Sequence, residues 1–182
     1  MTKDELLALA RTEGFSATLI SVDQIPVDPK YRAYCEENLC GNYGANYSCP
    51  PDCGTVEETH QRLLSESEAM VIQTIWDIGN YDNKPAILHA KHTHNAAVLR
   101  LMDKLSGTEV VGFPLGYGGC PLCAPCLRKE NRPCAHSEKR ISCMSAYCID
   151  VAILAERCGL EFSWTPGKLY LFGMIAFHRE NE

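Results

Sequence analysis

The chemistry that this chain can support is concentrated in its 11 cysteines. Three of them, Cys120, Cys123 and Cys126, recur at steps of three residues, and Cys134 follows directly after Pro133. Three closely spaced thiolates can bind three corners of a cubane, and a more distant cysteine completes the set, as in 4Fe-4S ferredoxins. Structural zinc sites more often combine two separate Cys-x2-Cys pairs. Segment 120–134 therefore predicts a 4Fe-4S cluster, with zinc as the alternative.

A second cysteine-rich segment spans residues 35–53. It contains Cys35, Cys40, Cys49 and Cys53, in a spacing that matches no standard ferredoxin run. We expect a second 4Fe-4S cluster here, with structural zinc as the alternative. If Cys53 is a ligand, the cluster is closed and suits electron transfer or a structural role. If it is not, one iron is open and can bind a substrate as a Lewis acid.

Three further cysteines lie between residues 143 and 158. Cys148 and Cys158 fall on the apolar stripe of a predicted helix. Buried cysteine packs as a small hydrophobic residue, so both are predicted to belong to the core. Cys143 lies off that stripe, shortly after Cys134, and is a secondary candidate that could replace one of the ligands above.

Four histidines are weaker candidates for metal binding. His89 and His92 are one helical turn apart and could bind a metal together. His94 falls on another face of the same helix, which disfavours a three-histidine site. A solvated or partner-facing helix is the simpler explanation for these residues. His136, two residues after Cys134, is a candidate ligand or hydrogen-bonding partner of a cluster.

Composition narrows the class of protein. Hydrophobic residues make up 46% of the chain and charged residues 22%, as in folded globular proteins. A net charge of −6 is unsuited to general nucleic-acid binding, and no apolar run approaches the roughly 20 residues of a membrane-spanning helix. The N-terminal sequence lacks the features of a signal peptide, so we expect a cytoplasmic protein whose clustered, reduced cysteines bind metal. No Gly-rich phosphate loop and no serine-centred triad occurs in the sequence.

The two cysteine-rich segments carry opposite local charge. Residues 127–140 contain five basic and two acidic side chains, whereas residues 35–58 contain five acidic side chains and no lysine or arginine. This difference could give two clusters different potentials or guide an acidic redox partner to the second segment. Ordinary balance of surface charge is an equally simple alternative.

Apolar periodicity, capping boxes and turn signals place the elements that must position these cysteines. They predict helices over 3–13, 55–66, 84–105 and 142–158, and strands over 15–22, 69–78, 109–115, 160–164 and 168–177. The last two strands are expected to be joined by a type II turn at 165–168. We therefore expect a single domain over 1–182, of α/β or α+β class. Its mixed sheet would be covered by helices, with both cysteine-rich loops on one rim.

In its cysteine motifs the chain resembles a prokaryotic family of predicted metal-binding proteins of unknown function. The matching pieces are CEENLCGNYGANYSCPPDCGTVEE, GGCPLCAPC, RPCAHSEKR and CIDVAILAERCGL, which spread over residues 30–165. The resemblance implies metal binding through cysteine and gives no reaction. In that family the position of Cys53 is often apolar, Arg-Phe-Pro-Glu-Lys usually stands at 135–139, and a glycine commonly occupies the position of Cys148.

These residues support three functional hypotheses. The first is a cytoplasmic iron–sulfur protein with two 4Fe-4S clusters, which transfers electrons to a redox partner protein. Its metal ligands would be Cys35, Cys40, Cys49, Cys53, Cys120, Cys123, Cys126 and Cys134. The second is an enzyme that uses an open iron of the first cluster on a sulfur-containing or carbonyl substrate. The third is a zinc-stabilised interaction module.

Overall fold

A computed structural model describes residues 1–180 of the chain. The strands are β1 (Ser16–Ser21), β2 (Glu68–Asp77), β3 (Val110–Gly116), β4 (Ser142–Cys143) and β5 (Lys168–Arg179). The α-helices are α1 (Lys3–Thr12), α2 (Arg32–Glu36), α3 (Val56–Leu64), α4 (Lys84–Leu105) and α5 (Val151–Cys158). Short 3-10 helices at Val22–Gln24, Pro29–Tyr31, Leu127–Glu130, Ser137–Lys139 and Met144–Tyr147 complete the connections.

The five strands form one mixed sheet in the order β1-β2-β5-β3-β4. Strand β5 pairs antiparallel with β2 on one side and with β3 on the other. Strand β1 is antiparallel to β2, whereas the short β4 is parallel to β3. The fold is therefore α+β with a mixed sheet, as predicted.

Both faces of the sheet are buried, which explains why β2 is almost continuously apolar. Met70 and Ile72 pack on one face with apolar residues of α1 and α4. Ala69 and Val71 pack on the opposite face with residues of α3, α5 and the Met144–Tyr147 turn. A strand covered on both faces needs no alternation of polar and apolar residues, so the sequence shows a run instead.

Local signals locate most elements to within two residues. The capping boxes are present at both predicted positions: Thr2 and Glu5 begin α1, and Thr55 and Glu58 begin α3, each through a reciprocal pair of hydrogen bonds. The predicted helices over 3–13, 55–66 and 84–105 are confirmed, as are the strands over 15–22, 69–78 and 109–115.

The predicted helix over 142–158 is wrong in its first half. The segment contains β4, a 3-10 turn and then Cys148 in the left-handed conformation, with a φ of 56°. Asp150 begins α5 by accepting a hydrogen bond from the amide of Ile153 at 3.0 Å. The apolar spacing misled the prediction because residues of three successive elements are buried against the same core.

The predicted strand over 160–164 is also wrong, although the turn after it is confirmed. Lys168 donates its amide proton to Thr165 O at 3.1 Å, and Gly167 has the positive φ of 79° that a type II turn requires. No strand forms over 160–164, because the neighbours of β5 in the sheet are β2 and β3. Phe162 and Trp164 are exposed as a result.

Candidate metal centres

The four cysteines of segment 120–134 line one small cavity. The segment leaves the sheet at the end of β3 and returns to it at β4, which lies beside β3. Both ends of the loop are therefore fixed on the same pair of strands. Each of the four thiols is half-buried. The cavity is lined by Asn46, Tyr47, Cys120, Leu122, Cys123, Cys126, Cys134, His136 and Arg140. The structure thus brings together the four cysteines that the spacing singled out, with His136 at the same cavity.

Backbone amides are directed at one sulfur of this group. Burial raises the pKa of the Cys120 thiol, while hydrogen bonds from the backbone amides of Leu122 and Ile141 lower it. Amide donors of this kind stabilise a thiolate, and in metal centres they tune the properties of the metal that the thiolate binds. Ile141 lies immediately before β4, so the sheet itself positions one of these donors.

The cysteines of segment 35–53 lie on shorter elements. Cys35 is on α2, and the next three follow in the turn-rich loop that leads to α3. Cys40 is exposed, Cys49 is buried, and Cys35 and Cys53 are half-buried. Burial raises the pKa of the Cys35 thiol to about 11, an effect that a bound metal or a nearby positive charge would oppose.

The structure adds Cys143 to this first group of cysteines. Its thiol interacts by hydrogen bonding with that of Cys49, which raises the pKa of Cys49 and lowers the pKa of Cys143. The Cys143 sulfur also accepts a hydrogen bond from the amide of Ala146 at 3.3 Å. Cys143 is held in place by β4, where it pairs with Gly116 of β3. Sequence reasoning placed Cys143 below Cys53 as a candidate ligand, because Cys49 lies far from Cys143 along the chain.

A buried arginine accompanies the first group. Arg32 donates to Gly54 O at 3.1 Å and to Ala146 O at 2.9 Å, while its Nε atom is buried without a partner. Within residues 1–180 it forms no ion pair with a carboxylate. Burial raises the pKa of both Cys35 and Cys53, and the charge of Arg32 opposes that rise. A buried, unpaired cation is costly, so this site is suited to an anionic group such as a set of metal-bound thiolates.

The two cysteine segments contact each other through Ser48, which is fully buried. The amide of Cys120 donates to Ser48 Oγ at 2.9 Å, and Ser48 Oγ donates to Asn46 Oδ1 at 2.9 Å. The same Oγ atom lies 3.9 Å from Cys49 Sγ. Asn46 Nδ2 in turn donates to Cys120 O at 3.2 Å. One buried serine therefore touches a cysteine of each group.

Two further features hold the segments together. A side chain at Gly119 would place its Cβ 2.8 Å from Asn46 Nδ2, so any larger residue must displace the Asn46 amide that donates to Cys120 O. Arg128 Nε lies 3.0 and 2.9 Å from the two carboxylate oxygens of Asp52. The opposite charges of the two segments are thus partly neutralised inside the protein. The position of both segments on one rim of the sheet stays a prediction.

Helix α4 supports the loop after β3 through a residue that the sequence did not reveal. Asn95 donates to Tyr117 O at 2.8 Å and accepts from the Tyr117 amide at 2.9 Å. It is almost fully buried beneath Gly116, where a Cβ atom would lie 2.5 Å from Asn95 Oδ1. This pair of hydrogen bonds fixes the direction in which the chain enters the second cysteine segment.

The histidines of α4 are separated as the helical spacing predicts. His89 and His92 are exposed, whereas His94 is fully buried. His94 Nδ1 lies 2.8 Å from Thr74 Oγ1, and burial lowers the pKa of its imidazole to about 4. His94 therefore belongs to the core, and the exposed pair stays a prediction as a metal site.

The predicted burial of Cys148 and Cys158 is confirmed, with exposed fractions of 0% and 8%. Cys148 has a positive φ, the backbone conformation that favours glycine. This agrees with the glycine expected at this position from the family resemblance.

Among residues 1–180, no three His, Cys, Asp or Glu side chains converge as the ligands of a single metal ion would. Ligands of one ion must all reach a single point, whereas the thiolates of a four-iron cluster each bind a different iron and stand farther apart.

Two groups of cysteines on the loops of an α+β fold define a cysteine-rich protein suited to binding metal. Residues 18–177 match the family described as predicted metal-binding protein, DUF2284, and the chain belongs to that family. No curated protein and no solved structure matches the chain. Within residues 1–180, no helix is both long and apolar enough to cross a membrane.

Proposed function

We propose that this protein is an iron–sulfur protein that holds two 4Fe-4S clusters and transfers electrons. The second cluster would be bound by the four cysteines that line the cavity in the loop from β3 to β4: Cys120, Cys123, Cys126 and Cys134. The first would be bound by Cys35, Cys40 and Cys49, with a fourth cysteine from the same group. When bound, such clusters accept and release single electrons.

The observation that carries this proposal is the contact between the two cysteine groups at Ser48. Its hydroxyl accepts a hydrogen bond from the Cys120 amide and lies 3.9 Å from the Cys49 sulfur. Adjacent redox centres can exchange electrons, whereas two unrelated structural metal sites have no need for a shared buried contact. The electron-transfer proposal gives this contact a function.

The residues around each group suit an anionic cluster. The unpaired Arg32 guanidinium supplies positive charge at the first group. At the second group, the amides of Leu122 and Ile141 are directed at Cys120. Both features stabilise thiolates, which are the form of cysteine that binds metal. The steps of three residues between Cys120, Cys123 and Cys126 favour a cluster over a zinc ion, because zinc sites more often use separate pairs.

The test is a pair of cysteine variants in anaerobically purified protein. Cys123→Ser is expected to lose about half of the iron and of the acid-labile sulfide, because it removes one ligand of one cluster. Cys158→Ser is the matched control, since Cys158 is a buried residue at the end of α5 and belongs to neither cysteine segment. An iron content in Cys123→Ser equal to that of the wild type and the control would refute the ligand assignment. Zinc without sulfide in the wild type would refute the iron–sulfur proposal.

A further inference from the structure

The first cysteine group contains five thiols, one more than a cluster of four irons requires. Cys35, Cys40 and Cys49 belong to the loop and to α2, and two half-buried residues, Cys53 and Cys143, compete for the fourth position. Both pack against the same apolar core, so burial alone does not separate them. Their contacts do.

Cys143 is directed into the group. It directly precedes the Met144–Tyr147 turn, and Arg32 of α2, the helix that carries Cys35, donates to Ala146 O of that turn at 2.9 Å. The effects of Cys143 on the pKa of Cys49 and of Cys35 agree with this position. Strand β4 fixes its backbone opposite Gly116. The amide of Ala146 donates to its sulfur at 3.3 Å, which satisfies a thiolate without blocking it from a metal.

Cys53 is directed at a backbone carbonyl. Its sulfur lies 3.8 Å from Gly54 O, with the thiol as the donor. A carbonyl oxygen beside a sulfur disfavours the thiolate that a metal ligand must form, whereas the amide beside the Cys143 sulfur stabilises it. The same carbonyl accepts a hydrogen bond from Arg32 at 3.1 Å, which holds it in place beside Cys53.

We infer that Cys143, and not Cys53, is the fourth ligand of the first cluster. This assignment rests on the proposed function and completes it. It gives the β4 region a role in both centres: Cys143 is the ligand of the first, and Ile141, directly before the strand, belongs to the same apolar cluster as Cys120 of the second. A two-residue strand would thus link the two clusters to the sheet.

The test compares Cys143→Ala with Cys53→Ala, a matched pair because both thiols are half-buried against the same core. Iron and sulfide per chain are measured in anaerobically purified full-length protein. Cys143→Ala is expected to lower both contents by up to half, and Cys53→Ala to keep the wild-type contents. Wild-type iron in Cys143→Ala, or an equal loss in Cys53→Ala, would overturn the assignment. A wild type without iron and sulfide would instead refute the proposed function.

A second measurement decides the question if Cys143→Ala does not fold. Wild-type protein is alkylated with iodoacetamide before and after its iron is removed by a chelator, and each cysteine is quantified by mass spectrometry. Removal of iron is expected to speed the alkylation of Cys143 together with Cys35 and Cys49, and to leave the rate at Cys53 unchanged. Faster alkylation at Cys53 with no change at Cys143 would overturn the assignment.

Discussion

Replacing Ser48 by alanine should weaken the junction between the two cysteine segments. The hydroxyl is fully buried, accepts the Cys120 amide proton at 2.9 Å and donates to Asn46 Oδ1 at 2.9 Å. Alanine has no group that can replace either contact. Asn46 Oδ1 keeps the Ser48 amide as a donor at 3.1 Å, so the larger loss falls on the Cys120 amide.

The expected cost follows from that unpaired amide. A buried donor left without an acceptor costs about 1–3 kcal/mol, whereas the hydroxyl oxygen itself fills little space. We therefore expect the free energy of unfolding to fall by about 2 kcal/mol. For a chain of this length that change corresponds to a decrease in Tm of about 4–8 °C.

Thermal unfolding of anaerobically purified protein, followed by circular dichroism at one scan rate, measures this change. Ser65→Ala is the control, because the exposed Ser65 hydroxyl also forms one hydrogen bond, to Arg62 O at 2.8 Å. The control should lie within about 0.5 kcal/mol of the wild type. If Ser48→Ala lowers Tm no more than Ser65→Ala does, the Ser48 contact does not hold the two segments together.

Three further predictions concern His94 in the core and two residues beside the cysteine groups, Gly119 and Arg32. Burial lowers the pKa of His94 to about 4 in the folded protein, whereas in the unfolded chain it is about 6.5. Below pH 6.5 the unfolded chain therefore binds a proton that the folded protein does not. The free energy of unfolding should fall by up to about 3 kcal/mol between pH 6.5 and 4. Urea titrations should show a shallower pH slope for His94→Gln than for the wild type, and an equal slope would refute this explanation. Gly119→Ala should lower the free energy of unfolding by about 1–3 kcal/mol, because its Cβ would lie 2.8 Å from Asn46 Nδ2. An unchanged Tm would show that the close approach of Gly119 to Asn46 does not stabilise the fold. Arg32→Gln removes the buried charge beside the first group and should lower iron content by up to half, whereas a wild-type content would show that this charge does not support the centre.

The elements defined by local interactions could be predicted from sequence. The capping boxes at Thr2 and Thr55 require only residues three positions apart, and the structure contains both. The cysteines of segment 120–134 are similarly close in sequence, and they line one cavity. Strand β2 was recognisable because burial on both faces leaves an apolar run.

Long-range contacts account for what the sequence did not predict. Cys143 joins the first group only because β4 pairs with β3, and a strand of two residues has no detectable pattern. Nothing in the sequence around Arg32 indicates that it is buried. Its burial depends on contacts with Gly54 and with Ala146 of the Met144–Tyr147 turn, which lie far away along the chain. The spacing that suggested one helix over 142–158 reflected burial of three elements against one core. The single domain, the cytoplasmic location and the redox partner protein stay predictions.

The most direct test of the account is the content of iron, acid-labile sulfide and zinc per chain in anaerobically purified wild-type protein. Two clusters, one at each cysteine group, predict about eight iron and about eight sulfide per chain, with little zinc. Stoichiometric zinc without sulfide would contradict the account and would identify the two cysteine groups as structural zinc sites.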